Sequence, residues 1–469
     1  KIGLLEYFDF MEPSLAVTSS HVPKSCFLHY QLSPVKLVRG YRQYLLSDEG
    51  VRYLDCANTV AHVGHCHPKI VEAGLKYFEQ VTIPVDETGF YKKYCDELTK
   101  DLPPSFDTVL FVASGSESND LAIQMAQKYV GAEDVVSVAG SFYGDVSFSN
   151  FVSSKTSKDQ RLVPKSWVHN IPCPETCRKW TLDKNKAGEF YAQQGIKQMK
   201  DLINKGKKIS CFITEPILTT CGVVVPPSGW LCILANYVSS IKGLMIMDET
   251  NTGLGRTGSS MWGFQSSGIC PDIITVGKPL ASGYPVAAVI TSSAIFQALG
   301  MDKNNFYPSP LSTMIGMCTL DVIKEENLLH QAKVIGKLIL DKLLILKEKY
   351  YTIGDVRGVG MIIGVEIVHD RRQLDLRPYP KMAQEIVYGM KENKIIISTE
   401  GEHKNVLIML PSLIFTEEEV DLLISSFDSV FCALHQIEDI PFEKYRRIII
   451  ENVIAANKLK VPLLSDDVD

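Results

Sequence analysis

The 469-residue sequence has no excess of one charge: 48 lysines and arginines face 54 aspartates and glutamates, a net of -6. Without a basic stripe there is no electrostatic case for nucleic acid as the main partner. No apolar run approaches membrane-spanning length, so no membrane partner is expected. Internal repeats and low-complexity tracts are missing too, which excludes a solenoid. The twelve cysteines make no disulfide framework. They are scattered singly, apart from Cys173 and Cys177 in CPETC, as suits a reducing compartment. A zinc site there would need two more ligands and has only His169 nearby; a plain loop is expected and no metal. The opening KIGLLEYFDFMEP carries Glu6 and Asp9 and does not read as a signal peptide. A cytoplasmic or mitochondrial location is expected.

A chain of this length exceeds one small core, and two domains are the natural division. Residues 32–54 read as two strands joined by the turn signal SDEG. The runs TVLFVA, DVVSVA, ISCFITEP, GLMIMDE, DIITVGK and PVAAVIT are short and continuously apolar, as in a parallel sheet covered on both faces. Beyond residue 318 the pattern becomes α+β. A long helix runs through AKVIGKLILDKLLILKEKYY, strands follow at IGDVRGVGMIIGVEIV and NVLIML, and a last helix starts at TEEEVDLLISSF. Thr416 and Glu419 form a capping box there. The division expected is an N-terminal segment (1–54) contributing to the small domain, a large domain (55–317), a small C-terminal domain (318–437) and an extension (438–469).

Lys278, in ITVGKPLASGYPVAAVI, is a lone cation in a stretch that reads as buried, where an unpaired ammonium is expensive to desolvate. Four other loops share its position at strand C-terminal ends, where open α/β sheets bind ligands. VASGSESND would turn the amides of Ser114, Gly115 and Ser116 outward at a helix N-terminus, a phosphate cradle. GLMIMDETN ends in Asp248 and Glu249, which need a cation or a proton; Arg256 is a candidate ion-pair partner. FITEPI ends in Glu215, with the same need, and GSFYGD adds Phe142 and Tyr143. Pyridoxal phosphate would account for all of them. Its aldehyde takes Lys278 as a Schiff base, its ring nitrogen takes Asp248, and Phe142 and Thr250 cover its two faces.

These residues resemble the class III (ornithine/4-aminobutyrate type) aminotransferase family of fold-type I pyridoxal-phosphate enzymes. Within it they are most similar to the ethanolamine-phosphate phospho-lyase branch. The resemblance runs from about residue 15 to about residue 430. It rests on YLDCANTVAHVGHCHPKIVEAGL, SGSESNDLAIQMA, PPSGW, DETNTGLGRTG, PDIITVGKP and IGDVRGVGMIIG. It implies a large domain with a mostly parallel seven-stranded sheet, a smaller α+β C-terminal domain, and a homodimer with active sites at the interface; pairing into tetramers stays open. Carried over, Lys278 is the Schiff-base lysine, Asp248 the ring-nitrogen partner and Glu215 the acidic residue near cofactor and substrate. Ser114, Gly115 and Ser116 bind the phosphate, and Phe142 stacks. His62, His65 and His67 match a family loop, with packing rather than metal binding expected.

The sequence departs from that pattern around the site. The family's DEVQ is DETN, so Thr250 replaces a stacking valine and Asn251 a longer glutamine that reaches the cofactor. YHGH is FYGD at Phe142 to Asp145. Asn305 stands where a neighbouring subunit's threonine would bind phosphate, and Tyr307 and Pro308 replace two glycines. Ile408 and Val85 stand where basic anchors are expected. The leading expectation is a phospho-lyase that releases phosphate and ammonia from a phosphorylated amine such as ethanolamine phosphate. Two other readings stay open: an aminotransferase, and a catalytically degraded paralogue kept for structural or binding work.

Overall fold

The computed structural model describes residues 35–79, 89–155, 165–175, 186–301, 306 and 309–435. Val85, Cys177, Asn305, Tyr307, Pro308 and the extension 438–469 lie outside the described residues. Contacts divide the chain after Leu37, and the unit from Val38 on holds nearly all of the described residues. It begins with β1 (Leu37–Tyr41), β2 (Tyr44–Ser47) and β3 (Arg52–Asp55). The SDEG turn joins β2 to β3: the Gly50 amide donates to the Ser47 carbonyl at 3.0 Å and the Val51 amide to the Ser47 hydroxyl at 3.1 Å.

The apolar runs all become strands of one sheet. These are β4 (Thr108–Val112), β5 (Asp134–Val138), β6 (Val168–Ile171), β7 (Ile209–Thr214), β8 (Leu244–Asp248), β9 (Ile273–Val276) and β10 (Ala287–Thr291). Their order is β4-β10-β9-β8-β7-β5-β6. From β9 to β6 every pairing is parallel. Every residue of β5, β7, β8, β9 and β10 is buried, which is why these strands read as unbroken apolar runs.

Strand β10 differs from the sequence expectation, because it is antiparallel to both β9 and β4. Only residues 277–286 separate it from β9, too few for a parallel crossover, which takes about a dozen or more. Strand β6 was not legible at all. VHNI has two polar residues and sits at the sheet edge, so it makes no apolar run.

Successive side chains of a strand face opposite sides of the sheet. Cys211 and Ile213 of β7 therefore join one cluster with Leu121, Ala122 and Met125 of the helix Gly115–Val130. Phe212 points the other way, with its ring edge-on to Trp230 of the helix Trp230–Ser240. The sheet is thus covered on both faces, and its strand ends open onto loops.

The C-terminal part holds β11 (Ile353–Val359), β12 (Ile362–Asp370), β13 (Asp375–Pro378), β14 (Ile395–Ile396), β15 (Ser398–Glu400) and β16 (Val406–Met409). Strands β11-β12-β16-β15 form an antiparallel sheet with β13 beside β12. Strand β14 instead pairs in parallel with β3, tying the first strands to this part of the chain. The long helix is Leu328–Lys349 and the last is Glu417–His435. The latter's cap is half of the expected box: the Thr416 amide donates to Glu419 at 2.9 Å, while the Thr416 hydroxyl donates to the same carboxylate instead of accepting. Gln43 and Tyr44 each donate to Glu419 at 2.7 Å, locking β2 onto this helix. Among the described residues no helix is long and apolar enough to cross a membrane.

Candidate active site

Strands β8 and β9 run side by side with Asp248 opposite Thr275. Their C-terminal ends therefore present Asp248 and, three residues past Thr275, Lys278. Lys278 has φ +34, a conformation that costs a side chain on the order of 1 kcal/mol or more. The residues around it are buried, but Lys278 itself is exposed, which corrects the expectation of a sealed ammonium. Its Nζ donates to Asn251 Oδ1 at 2.7 Å. Desolvation by the buried residues around it pushes its pKa down, while the Asp248 and Glu215 charges pull it up.

Asn251 then reaches the second carboxylate. Its Nδ2 donates to Glu215 Oε1 at 3.1 Å and to Thr219 Oγ1 at 2.9 Å, and the Thr219 hydroxyl donates to Glu215. Burial, with the Asp248 charge added, raises the Glu215 carboxyl to about 7. Its other oxygen, Oε2, is buried without a partner. Lys278, Asn251, Thr219 and Glu215 thus form one hydrogen-bonded chain.

Asp248 has its own support. It accepts from Asn119 Nδ2 at 2.8 Å and from the Thr250 amide at 2.8 Å, with the Thr250 side chain beside it. Burial nevertheless raises its pKa. Asn119 is fixed in turn by the Thr275 hydroxyl at 2.6 Å and the Tyr143 carbonyl at 2.8 Å. Sequence reasoning missed Asn119 and Thr219. A signal for Asn119 was present, since it is an amide in the buried stripe of an otherwise apolar helix face.

The small-residue turn closes on the same place. Ser114 caps the helix Gly115–Val130, accepting from the Glu117 amide at 3.2 Å, and Glu117 accepts from the Ala113 amide at 3.1 Å. Its hydroxyl is therefore occupied by the cap, and the first helical amides, those of Gly115 and Ser116, have no intrahelical acceptor. A Cβ on Gly115 would lie 2.9 Å from Thr250 Cγ2, and one on Gly277 would lie 3.1 Å from the Gly115 backbone. A Cβ on Gly144 would meet Ser116 at 2.7 Å. The cradle, the lysine strand and the aromatic loop are in contact. Phe142 is half-buried, whereas Tyr143 belongs to the scaffold: its ring is in the core and its hydroxyl donates to the Ile213 carbonyl at 3.0 Å.

Two other expectations change. Glu249 is not paired with Arg256; it accepts from the Gly263 and Phe264 amides at 3.0 and 2.8 Å and from the Thr252 hydroxyl. Arg256, fully buried, donates to the Pro411 carbonyl at 2.8 Å, the Thr59 carbonyl at 3.0 Å and His62 Nδ1 at 2.9 Å. The histidines each have a separate partner: His62 Nε2 meets the Leu254 carbonyl at 2.7 Å, His65 meets Asp55 at 2.7 Å and His67 meets Glu326 at 3.0 Å. His169 pairs with Asp134 at 2.8 Å. Among the described residues no group of three such ligands is arranged for a metal. Ile408 is buried with Ile217, Val223, Ile362 and Leu410.

The residues present fit pyridoxal phosphate. The free helix amides of Gly115 and Ser116 suit its phosphate, buried Asp248 its ring nitrogen, exposed Lys278 its aldehyde, and the unpartnered Glu215 oxygen has no protein donor.

Residues 29–431 match the Aminotransferase class-III family. The sequence is 34% identical over 436 residues to an alanine–glyoxylate aminotransferase 2-like protein of Drosophila melanogaster, covering 90% of this chain and 87% of the relative. It is 32% identical over 432 residues to ethanolamine-phosphate phospho-lyase homolog 1 of Caenorhabditis elegans, covering 88% and 92%. The structure is similar to that of a phospholyase from Arthrobacter in complex with phosphoethanolamine, with a TM-score of 0.81 at 28% identity, covering 87% of this chain and 97% of the other.

Proposed function

The chain belongs to the class III aminotransferase family, with its fold-type I architecture and its cofactor pyridoxal phosphate, and from that premise we propose that it is a phospho-lyase. Its substrate would be a phosphorylated amino alcohol such as ethanolamine phosphate, from which phosphate is eliminated and, with the consumption of one water, ammonia is released and acetaldehyde left. When bound, the cofactor supplies an electron sink that lets the carbon bearing the amine lose a proton. Lys278 is placed to move that proton, and Asn251 holds its Nζ in position. Glu215, with a pKa near 7, is a proton reservoir behind Asn251. Asp248, fixed by two donors, sits where the ring nitrogen would need a buried anion.

The observation that carries the reading against an amino-acid substrate is Ile408. A side chain packed among aliphatic residues occupies the place where an aminotransferase would put an arginine for a carboxylate. Ethanolamine phosphate has no carboxylate. The aminotransferase alternative draws on the Drosophila relative's name, and the intact Lys278, Asp248 and Glu215 speak against a degraded role. A homodimer is supported by Val71, Leu75 and Phe78, an exposed apolar stripe on the helix Pro68–Phe78. The test is phosphate release from ethanolamine phosphate. Wild type should show a visible cofactor absorption band and turnover, and Lys278→Ala should lose both. Conversion of the cofactor to its amine form by an amino donor, without phosphate release, would replace this reading with an aminotransferase.

A further inference from the structure

If the substrate carries a phosphate, the site needs a cation to meet it, and the nearby arginines are committed. Arg256 is spent on two carbonyls and His62. Arg357 donates to the Gly222 and Val223 carbonyls and pairs with Asp355 and Glu366. Ile408 offers only methyl groups.

Three segments converge at the rim beyond Glu215. The Lys155 amide donates to the Ser141 carbonyl at 3.0 Å, so Lys155 hangs from the loop that carries Phe142. Ser154 fixes the same loop, accepting from the Gly140 amide at 2.6 Å. The 219–222 turn follows Glu215: Cys221 Sγ reaches the Ala139 carbonyl at 3.6 Å, and the Thr220 carbonyl accepts from Gly401 at 3.3 Å. Gly401 follows Glu400, at the end of β15. The Thr220 hydroxyl is buried at this rim without a partner.

Across the rim Lys155 Nζ pairs with Glu400 Oε2 at 2.6 Å, both half-buried, and the Glu400 carboxylate is within electrostatic reach of Lys278. Glu400 has a second cation, Lys404, on the same oxygen at 3.2 Å and well exposed. Two ammonium groups on one carboxylate leave one positive charge over. Withdrawal of Lys155 would not strand Glu400, because Lys404 keeps it paired.

We propose that Lys155 and Glu400 are a displaceable ion pair, in which Lys155 leaves Glu400 to bind the substrate's phosphate while Lys404 retains Glu400. The proposal rests on the phospho-lyase reading for the identity of the anion. It makes Lys155 a specificity residue: it binds the tail and does not touch the reacting bond. Glu400 sets the threshold, since an uncharged tail gains nothing by breaking the pair.

The test compares wild-type holoenzyme with Lys155→Met, Lys155→Arg and Glu400→Gln. Lys155→Met is expected to raise the KM for ethanolamine phosphate about tenfold or more with kcat little changed. It should leave the cofactor spectrum and its response to ethanolamine, which lacks the anion, as in wild type. Lys155→Arg should restore most of the loss, and Glu400→Gln should lower KM. Inorganic phosphate, titrated calorimetrically into each holoenzyme, should follow the same order. An unchanged KM and an unchanged phosphate affinity in Lys155→Met would overturn the subsite even if wild type turns over. A wild type that releases no phosphate, but binds it in a Lys155-dependent way, would refute the phospho-lyase reading and leave the subsite standing.

Discussion

Gly115→Ala is a one-carbon probe of the cradle. The added Cβ would lie 2.9 Å from Thr250 Cγ2 and 3.7 Å from Thr250 Cβ, while the Gly277 backbone already packs against Gly115 from the other side. Real Cβ atoms do not approach that closely, so one side must move. Thr250 is not free to move, because its amide donates to the buried Asp248 carboxylate at 2.8 Å. Displacing Thr250 would strain that amide bond to Asp248, and hydrogen bonds to charged groups contribute about 1.5–3 kcal/mol. Pushing the helix start away instead would cost about 1–3 kcal/mol of overpacking and pull the Gly115 and Ser116 amides off the phosphate. Either route weakens cofactor binding by about 10- to 100-fold, at about 1.4 kcal/mol per tenfold. Titration of cofactor-free protein with pyridoxal phosphate, followed by visible absorbance, measures it. Thr250→Ser removes the offending methyl and keeps the hydroxyl, so the double variant should recover most of the loss, with a coupling of about 1 kcal/mol or more. Wild-type affinity in Gly115→Ala, or no recovery in the double variant, refutes this geometry.

Two further outcomes follow from buried charge. Glu215 has its pKa raised to about 7, chiefly by burial, so the folded protein holds its proton more tightly than the unfolded chain, whose glutamates titrate near 4.5. Its contribution to stability is therefore full below about pH 4.5 and is lost as pH rises to about 7, on the order of 3 kcal/mol in all. The stability of cofactor-free wild type minus that of Glu215→Gln, from urea unfolding across that range, should fall with rising pH; a flat difference contradicts it. Arg256 is buried on three neutral acceptors, and burial lowers its pKa to about 10. A lysine ammonium cannot reproduce the fork that spans Thr59, His62 and Pro411, so Arg256→Lys should cost about 2–4 kcal/mol, read from the urea midpoint.

What the sequence disclosed depended on whether one residue's environment is set by its own strand or by a distant loop. Strands β5, β7, β8, β9 and β10 could be read because burial on both faces leaves a continuous apolar run. Edge strand β6 has no such run, and the direction of β10 was decided by a ten-residue connection that pattern alone does not weigh. In the site, Lys278, Asp248, Glu215 and the Gly115 turn were legible because each ends a readable strand or opens a readable helix. The partner of Glu249 was not, because its donors are backbone amides of Gly263 and Phe264, which have no residue signature. The histidines of AHVGHCHP are close in sequence but engage partners on three different segments, which spacing alone does not disclose.

The departures at 250 and 251 bear on whether the site has decayed. A polar side chain introduced into a buried site without selection for its contacts leaves unpaired donors and acceptors, each costing about 1–3 kcal/mol. Thr250 replaces an expected valine, and its side chain lies beside Asp248, where it helps to hold down the carboxyl's pKa. Asn251 is shorter than the expected glutamine, yet its oxygen accepts from Lys278 and its nitrogen donates to both Glu215 and Thr219. Both substitutions are woven into the carboxylates and the amine. Among the described residues Glu215 Oε2 and Thr220 Oγ1 stay buried without a protein partner, which leaves them available to a ligand. Compensation of this kind is what a site under functional constraint retains, and it favours altered substrate handling over loss of chemistry.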